Sequence, residues 1–163
     1  MTAGTSTNTS ILIFGASGDL TSRKLIPALF RLHQQKFLPV GCPVIGIARR
    51  AKSNAEFREE MREVVAGRLG EKFDAVAWDA FAAQLFYQQL DIASAADYPL
   101  LHSAVQQLEN AAGFTGDPTR IVYLATAPLA VLHCSRRTAC CRDDSSARIC
   151  IAAASGCGKT FWP

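Results

Sequence analysis

Ile11-Leu12-Ile13-Phe14-Gly15-Ala16-Ser17-Gly18-Asp19-Leu20 is the stretch that decides the fold. Four apolar residues lead directly into a turn with two glycines, and leucines at helical spacing follow from Leu25 to Leu32. A strand, a glycine turn and a helix in this order form a site for nucleotide phosphates, because the free N–H groups and the positive dipole end of the helix point at the anion. A purely structural turn is the alternative for this stretch alone. The second and third glycines of the usual G-x-G-x-x-G pattern are replaced here by Ser17 and Leu20.

The composition is typical of one globular domain. The chain has 163 residues, of which 49% are hydrophobic and 19% are charged, so it has enough apolar material for a core. Its net charge of +3 is too small to indicate a nucleic-acid partner, and no apolar run approaches the ~20 residues of a membrane span. Residues 1–9 are rich in Thr, Ser and Asn and lack the pattern of a secretory signal. We therefore expect a disordered N-terminus and a cytoplasmic protein without a membrane partner.

Apolar runs and helical periods alternate along the first 128 residues. The predicted strands cover residues 10–14, 44–48, 86–90 and 120–125, and the predicted helices run from Thr21 to Gln35, from a Ser53 cap to Gly70, from Asp74 to Leu85 and from Ser94 or Asp97 to Gly113. Pro27 lies inside the first helix and lacks an N–H group, which predicts a kink or a late helix start. Trp78 is expected in the core. This order predicts an α/β fold: a Rossmann-like, doubly wound parallel sheet with right-handed crossovers.

The end of the second predicted strand indicates which dinucleotide the fold accepts. In NAD-binding folds an acidic residue at this point contacts the 2′-hydroxyl of the adenine ribose, but this chain has Arg49-Arg50 there. A guanidinium can pair with a 2′-phosphate through two hydrogen bonds, which favours NADP over NAD. Two solvated surface arginines are the alternative, and the position directly after the second strand favours the cofactor contact.

Several ordered motifs extend the pattern beyond the glycine turn. They are the run Gly15–Leu29, which begins Gly-Ala-Ser-Gly-Asp-Leu, then Gly46-Ile47-Ala48-Arg49, Phe86-Tyr87-Gln88-Gln89-Leu90-Asp91, Tyr98, and Arg120–Pro128. At these intervals they resemble the amino-terminal part of glucose-6-phosphate dehydrogenase, over about residues 10–128. A different family of NADP-dependent reductases with a Gly-Ala-Ser-Gly turn is an alternative. The Asp19-Leu20 pair followed by Arg23-Lys24 favours the first family, and the Tyr-x-x-x-Lys pair of short-chain reductases does not occur.

The resemblance implies an NADP-linked oxidoreductase that oxidises D-glucose 6-phosphate to 6-phosphogluconolactone, at the entry to the pentose phosphate pathway. It also implies a homo-oligomeric full-length protein. Carried over by position, the residues that would line the pyrophosphate are Gly15, Ala16, Ser17, Gly18, Asp19, Leu20, Thr21 and Ser22. Arg49 would hold the 2′-phosphate. Asp91 and Ile92 would lie near the adenosine, and Tyr123 near the nicotinamide.

The pattern changes abruptly after Pro128. Five of the six cysteines, Cys134, Cys140, Cys141, Cys150 and Cys157, fall in the last 35 residues, and no helical or strand period is sustained there apart from a possible short strand over Arg148–Ala154. The E-K-P-F-G and D-H-Y-L-G-K motifs of the resembled family do not occur, and none of the three histidines matches its general base. We therefore predict an incomplete NADP-binding domain over residues 10–128, an aberrant tail over 129–163, and no catalytic residue. Our hypothesis for the tail is a shifted reading frame or a damaged gene. As it stands, such a polypeptide would bind NADP without turning over substrate.

Two other patterns in the tail suggest sites. Residues 153–160 resemble a P-loop with alanine at the first glycine position, but only three residues follow where a long helix is required. His133 and the tail cysteines suggest zinc, but they lack the paired C-x₂₋₄-C spacing of structural sites. We predict no metal site.

Overall fold

A computed structural model of the chain describes residues 8–126, and residues 148–153 as backbone. In this part of the chain the strands are β1 (Thr9–Phe14), β2 (Val44–Ala48), β3 (Leu85–Gln89), β4 (Thr119–Leu124) and β5 (Arg148–Ala153). The α-helices are α1 (Ile26–Gln34), α2 (Asn54–Leu69), α3 (Ala75–Ala82) and α4 (Asp97–Ala111). A π-helical segment, Thr21–Leu25, leads into α1, and a short 3₁₀ turn, Gly70–Lys72, follows α2.

The strands form one parallel sheet in the order β3-β2-β1-β4-β5. The carboxyl end of β1 lies between its two neighbours, because Phe14 pairs with Ile47 on one side and with Leu124 on the other. The chain moves in one direction from β1 to β3 and then crosses over to β4 on the other side of β1. This order confirms the predicted α/β, Rossmann-like, doubly wound sheet, and it places the switch point between β1 and β4.

Alternation along the strands divides the core into two layers, one on each face of the sheet. Ile11 and Ile13 belong to the cluster that contains α1, α2 and α3, whereas Leu12 and Phe14 belong to the cluster that contains α4. Both faces of β1 are therefore buried, as a central parallel strand requires. The predicted core position of Trp78 is confirmed, since it is 2% exposed and packs edge-on against Phe30.

A buried ion pair connects α4 to β4 near the amino-terminal ends of the strands. The Arg120 guanidinium donates to both carboxylate oxygens of Glu109, through Nε at 2.9 Å and Nη2 at 2.7 Å. The Ser10 hydroxyl donates to the same carboxylate at 2.7 Å. All three residues are buried, so this network links β1, β4 and α4 through satisfied polar groups and favours one arrangement of these elements.

Local signals in the sequence account for several helix ends. Ser53 accepts from the Glu56 N–H group while the Glu56 side chain accepts from the Ser53 N–H group, so the predicted capping box is present. Gly70 ends α2 with a φ of +54°, and Asp74 caps α3. Pro27 lies in the first turn of α1, but helical residues begin already at Asp19 and continue through the π-helical segment, so the helix does not start late; the π-helical segment before Pro27 is the irregularity instead.

One boundary prediction is wrong. Leu85 was predicted to end a helix, but α3 stops at Ala82 and Leu85 begins β3. The carbonyl of the preceding Gln84 accepts from the Val44 N–H group at 2.8 Å, which draws the chain into the sheet beside β2. Apolar Leu85 fits a helix or a strand equally well, so the sequence pattern does not distinguish them.

The possible short strand in the tail is present as β5, which pairs with β4 from Thr119↔Arg148 to Leu124↔Ala153. The other features predicted in the tail lie outside the described residues, as does the disordered start at residues 1–7. No helix between residues 8 and 126 has the length and apolar character needed to cross a membrane.

Candidate functional site

The glycine turn lies at the carboxyl end of β1 and is held by hydrogen bonds to its neighbour strand. The N–H groups of Gly15 and Ala16 both donate to the Ile47 carbonyl, at 2.8 and 3.1 Å. The Gly15 carbonyl in turn accepts from the Gly18 N–H group at 2.9 Å and from the Thr21 hydroxyl at 3.0 Å. The Gly15 carbonyl therefore closes the turn by accepting two hydrogen bonds.

Gly15 is required at this point by both conformation and space. Its φ is +92°, a region that side chains rarely adopt, and a Cβ added there would lie 2.4 Å from the Ala125 carbonyl oxygen. The turn therefore presses directly on the end of β4, at the switch point of the sheet. Ligands of doubly wound folds bind in the crevice at this point.

A second close contact, between Gly46 on β2 and Ala16, fixes the position of the turn. Gly46 on β2 faces Ala16, and a Cβ at Gly46 would lie 2.9 Å from the Ala16 Cβ and 2.7 Å from the Phe57 ring. Ala16 is fully buried and its N–H group already has a partner in Ile47. Ala16 thus sets the position of the turn and offers no free group to a ligand.

Three backbone N–H groups of the turn have no acceptor among the described residues. They are the N–H groups of Ser17, Asp19 and Leu20. Helix starts leave such groups unpaired, and together with the helix dipole they attract anions. These three predicted residues therefore present what a pyrophosphate needs.

Side chains in the same stretch mostly serve the turn itself. Thr21 is buried and donates to the Gly15 carbonyl, and the Ser22 hydroxyl donates to the Asp19 carbonyl at 3.2 Å. The Asp19 carboxylate pairs with the Arg23 guanidinium at 2.6 Å, and both side chains are exposed. The ion pair reduces the negative charge that Asp19 would otherwise place beside the free amides.

The helix after the turn contains the π-helical segment Thr21–Leu25, and one of its backbone carbonyls accepts a hydrogen bond from a side chain of α2. Pro27 has no N–H group, so it cannot donate to the Arg23 carbonyl four residues earlier. The Arg68 guanidinium donates to that carbonyl instead. Arg68 thus ties the end of α2 to the start of the helix that faces the site. The sequence analysis did not predict this contact, although Pro27 showed that one carbonyl would lack its usual partner.

Arg49 and Arg50 follow β2 directly, next to the strand that carries the glycine turn. Both are exposed, and neither guanidinium has a hydrogen-bond or ion-pair partner among the residues the structure describes. Their carbonyls are held by β3: Gln89 Nε2 donates to the Arg49 carbonyl at 3.1 Å, and the Tyr87 hydroxyl donates to the Arg50 carbonyl at 2.6 Å. Two uncommitted cations thus project from an anchored backbone at the carboxyl edge.

Asp91 and Ile92 lie at the same edge, after β3. The Asp91 N–H group donates to the Asp97 carboxylate at 3.0 Å, and the Asp91 carboxylate accepts from the Ala93 N–H group at 3.0 Å. The carbonyl of half-buried Ile92 accepts from the Tyr98 hydroxyl at 3.1 Å. These bonds form a compact loop beside the arginine pair, in which the Asp91 carboxylate already has one backbone partner.

Tyr123 is placed differently from the other predicted site residues. It lies on β4 on the face that α1 covers in part, and it lines an apolar groove of ≈ 450 Å³ together with Leu25, Leu29 and Ile121. The glycine turn, Arg49 and Asp91 follow the ends of β1, β2 and β3, whereas Tyr123 precedes the last residue of its strand. The structure therefore brings three of the predicted groups to one edge and sets Tyr123 below it.

The described side chains include neither a cluster of metal ligands nor a reactive thiol. Among residues 8–126, no cluster of three His, Cys, Asp or Glu side chains is placed to hold a metal ion. Cys42 is 1% exposed, and burial raises the pKa of its thiol to about 12. The Cys42 side chain is therefore a protonated core group.

Comparison with known proteins identifies the family. The family model described as the NAD binding domain of glucose-6-phosphate dehydrogenase matches residues 12–152. The chain belongs to the glucose-6-phosphate dehydrogenase family. This membership confirms the resemblance carried by the motifs between Gly15 and Pro128, and it rules out the alternative of another reductase family. The glycine turn predicted a nucleotide-binding domain, and the description of the family model agrees with this prediction.

Individual glucose-6-phosphate dehydrogenases show the same relationship. The chain is 37% identical over 119 residues to glucose-6-phosphate 1-dehydrogenase of Chlamydia muridarum and 32% identical over 120 residues to that of Leuconostoc mesenteroides. These matches cover 72% and 74% of this chain. A solved glucose-6-phosphate dehydrogenase in complex with its substrate glucose-6-phosphate superposes with a TM-score of 0.80 at 28% identity, over 93% of this chain and 31% of the solved one.

The chain is short compared with these glucose-6-phosphate dehydrogenases. It spans 23% of the length of the Chlamydia muridarum protein and 24% of the Leuconostoc mesenteroides protein. The described residues therefore correspond to the dinucleotide-binding part of the family.

Proposed function

We propose that this chain forms the NADP-binding part of a glucose-6-phosphate dehydrogenase, which oxidises D-glucose 6-phosphate to 6-phosphogluconolactone in the cytoplasm. The turn from Gly15 to Ser22 holds the pyrophosphate through the N–H groups of Ser17, Asp19 and Leu20, and Arg49 holds the 2′-phosphate. Asp91 and Ile92 lie toward the adenosine, and Tyr123 lies nearer the nicotinamide. The observation that carries the proposal is the set of unpaired amides on the glycine turn at the switch point, one strand away from an uncommitted guanidinium.

The residues of the turn fit an anionic diphosphate. Ser17, Asp19 and Leu20 offer N–H groups that no described residue accepts, at the start of a helix whose dipole is positive there. The Asp19 carboxylate is partly neutralised by Arg23, so it opposes the bound charge less than an unpaired carboxylate would. A pyrophosphate at this position would satisfy donors that no described residue satisfies.

The end of β2 favours the phosphorylated cofactor. An acid that would accept from a ribose 2′-hydroxyl is missing at Arg49-Arg50. A 2′-phosphate gains a charge-assisted contact with a guanidinium, which is stronger than a contact between neutral groups. NADP therefore gains an interaction here that NAD cannot make.

Turnover needs more than these residues supply. NADP⁺ accepts a hydride at its nicotinamide ring, and a base must take the proton of the substrate hydroxyl at the same time. His33 lies in the last turn of α1 with its ring 5.5 Å from Phe81, which places it at the opposite edge of the sheet. We therefore propose that a polypeptide of these 163 residues binds NADP and catalyses no oxidation by itself.

Calorimetric titration with NADP and NAD tests the cofactor assignment. Loss of a charged hydrogen-bonded contact costs about 1.5–3 kcal/mol, so Arg49→Ala is expected to weaken NADP binding about 10- to 100-fold while NAD binding changes little. Arg31→Ala is the matched control, because Arg31 is an exposed arginine in the last turn of α1, at the far edge of the sheet. Equal affinity of the Arg49 variant and the parent for NADP would refute the assignment.

A spectrophotometric assay tests the absence of turnover. Purified chain with NADP⁺ and glucose 6-phosphate is expected to give no NADPH above the rate without protein. NADPH formation that depends on both the chain and the sugar phosphate would show that these residues contain a complete active site.

A further inference from the structure

The segment that carries Arg49 is held by two side chains from the neighbouring strand. Gln89 donates to the carbonyl of Arg49, and Tyr87 donates to the carbonyl of Arg50 at 2.6 Å. Consecutive carbonyls after the end of β2 would otherwise face water, because the strand pairing stops at Ala48. Both acceptors are instead drawn toward β3, and the backbone that carries the guanidinium is fixed at two successive peptides.

Tyr87 is itself firmly placed. Its ring lies 5.2 Å from the Phe57 ring, and its N–H group donates to the Asn54 side chain at 2.7 Å. Burial, followed by the charge of Glu60, raises the pKa of its phenol above the ordinary value, against a lowering effect of Arg50. The hydroxyl therefore stays protonated at neutral pH and remains a hydrogen-bond donor. The anchor is a rigid, buried group on the side of the sheet that faces α2.

We propose that Tyr87 and Gln89 are positioning residues that set the preference for a 2′-phosphorylated dinucleotide by fixing where the Arg49 guanidinium leaves β2. This inference rests on the proposed function of Arg49. An arginine on a free loop loses both backbone and side-chain freedom when it binds a phosphate, whereas one on an anchored backbone loses only side-chain freedom. The two anchors thus lower the cost of holding the 2′-phosphate, and they leave the rest of the dinucleotide site unchanged.

The experiment compares NADP and NAD affinities of Tyr87→Phe and Gln89→Ala with those of the parent chain. Tyr87→Phe keeps the ring that packs on Phe57 and removes only the hydroxyl. Gln88→Ala is the matched control, because Gln88 lies on the opposite face of β3 and its amide donates to the adjacent Gln89 carbonyl. Loss of one such hydrogen bond predicts NADP binding about 3- to 10-fold weaker in each test variant, with NAD binding unchanged.

A double-mutant cycle with Arg49→Ala separates this inference from the function on which it rests. In the Arg49→Ala background, Tyr87→Phe is expected to leave NADP affinity unchanged, because the group that it positions is gone. If Arg49→Ala abolishes the NADP preference but the Tyr87 and Gln89 variants behave like the parent, only the positioning role is wrong. Equal weakening of NADP and NAD by Tyr87→Phe would also overturn it, since this result indicates general loss of structure. A parent chain that does not prefer NADP over NAD refutes both proposals.

Discussion

Replacing Gly15 with alanine is expected to destabilise the protein through the switch point of the sheet. The added Cβ would lie 2.4 Å from the Ala125 carbonyl oxygen, 1.0 Å closer than the 3.4 Å at which ordinary contact begins. The left-handed conformation of residue 15 costs about 1–2 kcal/mol for a residue with a side chain. Displacing a packed backbone adds about 1–3 kcal/mol, so the free energy of unfolding should fall by about 2–5 kcal/mol.

Thermal unfolding followed by circular dichroism measures this effect. For a chain of this size the predicted loss lowers Tm by about 5–15 °C. Gly67→Ala is the matched control, because Gly67 lies inside α2 and a Cβ there meets nothing within 4 Å. It should raise stability by about 0.5–1 kcal/mol through helix propensity. If Gly15→Ala unfolds at the same temperature as the parent, the close packing of the glycine turn on β4 is wrong.

Three further predictions concern contacts outside the cofactor site. Glu109→Gln removes the carboxylate charge that pairs with the buried Arg120 guanidinium, and urea denaturation should show a loss of about 3–5 kcal/mol; a loss below ~1 kcal/mol would argue against a buried pair. Arg68→Ala removes the donor to the Arg23 carbonyl, so amide exchange in residues 21–26 should become faster while stability falls by only about 0.5–1 kcal/mol; unchanged exchange would contradict the role of this contact. Cys42 should resist a thiol reagent at pH 8 in the native chain and react after denaturation, as judged by peptide mapping. Burial raises the pKa of Cys42 from 9.0 to about 12, so the unfolded chain releases the thiol proton at a lower pH than the folded chain does. The stability that the buried, protonated thiol contributes should therefore be lost as the pH rises above 9.

The order of strands could be predicted because each is a short apolar run between turn residues. β2, Val-Ile-Gly-Ile-Ala, is buried at every position, as a central strand covered on both faces must be. The limits of such runs are less certain. Leu85 could extend a helix or begin a strand, and only its pairing with Val44 on β2 decides between them.

The glycine turn and Arg49 could be proposed from sequence because their roles depend on position in a β-α-β unit. The two side chains that hold the backbone of Arg49 and Arg50 could not be proposed in this way. Tyr87 and Gln89 are ordinary strand residues in the sequence, and they contact carbonyls 37 and 40 residues away. Such contacts depend on which strands become neighbours, and local patterns carry no information about them.

The buried ion pair left a partial signal in the sequence. Glu109 continues the helical stripe of Tyr98, Leu101 and Val105, all of which are buried. A carboxylate on an apolar stripe indicates a buried partner, because an unpaired charge would be costly there. That this partner is Arg120 follows from the pairing of β4 with β1, and only the folded sheet shows this pairing.

The central claim is that the free amides of the glycine turn hold the diphosphate of a dinucleotide. Titration of ¹⁵N-labelled protein with NADP, followed by amide chemical shifts, tests it most directly. We expect saturable shifts of the Ser17, Asp19 and Leu20 amides, with the Arg49 amide shifting in the same titration and less so with NAD. Shifts confined to the groove around Leu29 and Ile121, or no saturable shift in the turn, would contradict the account.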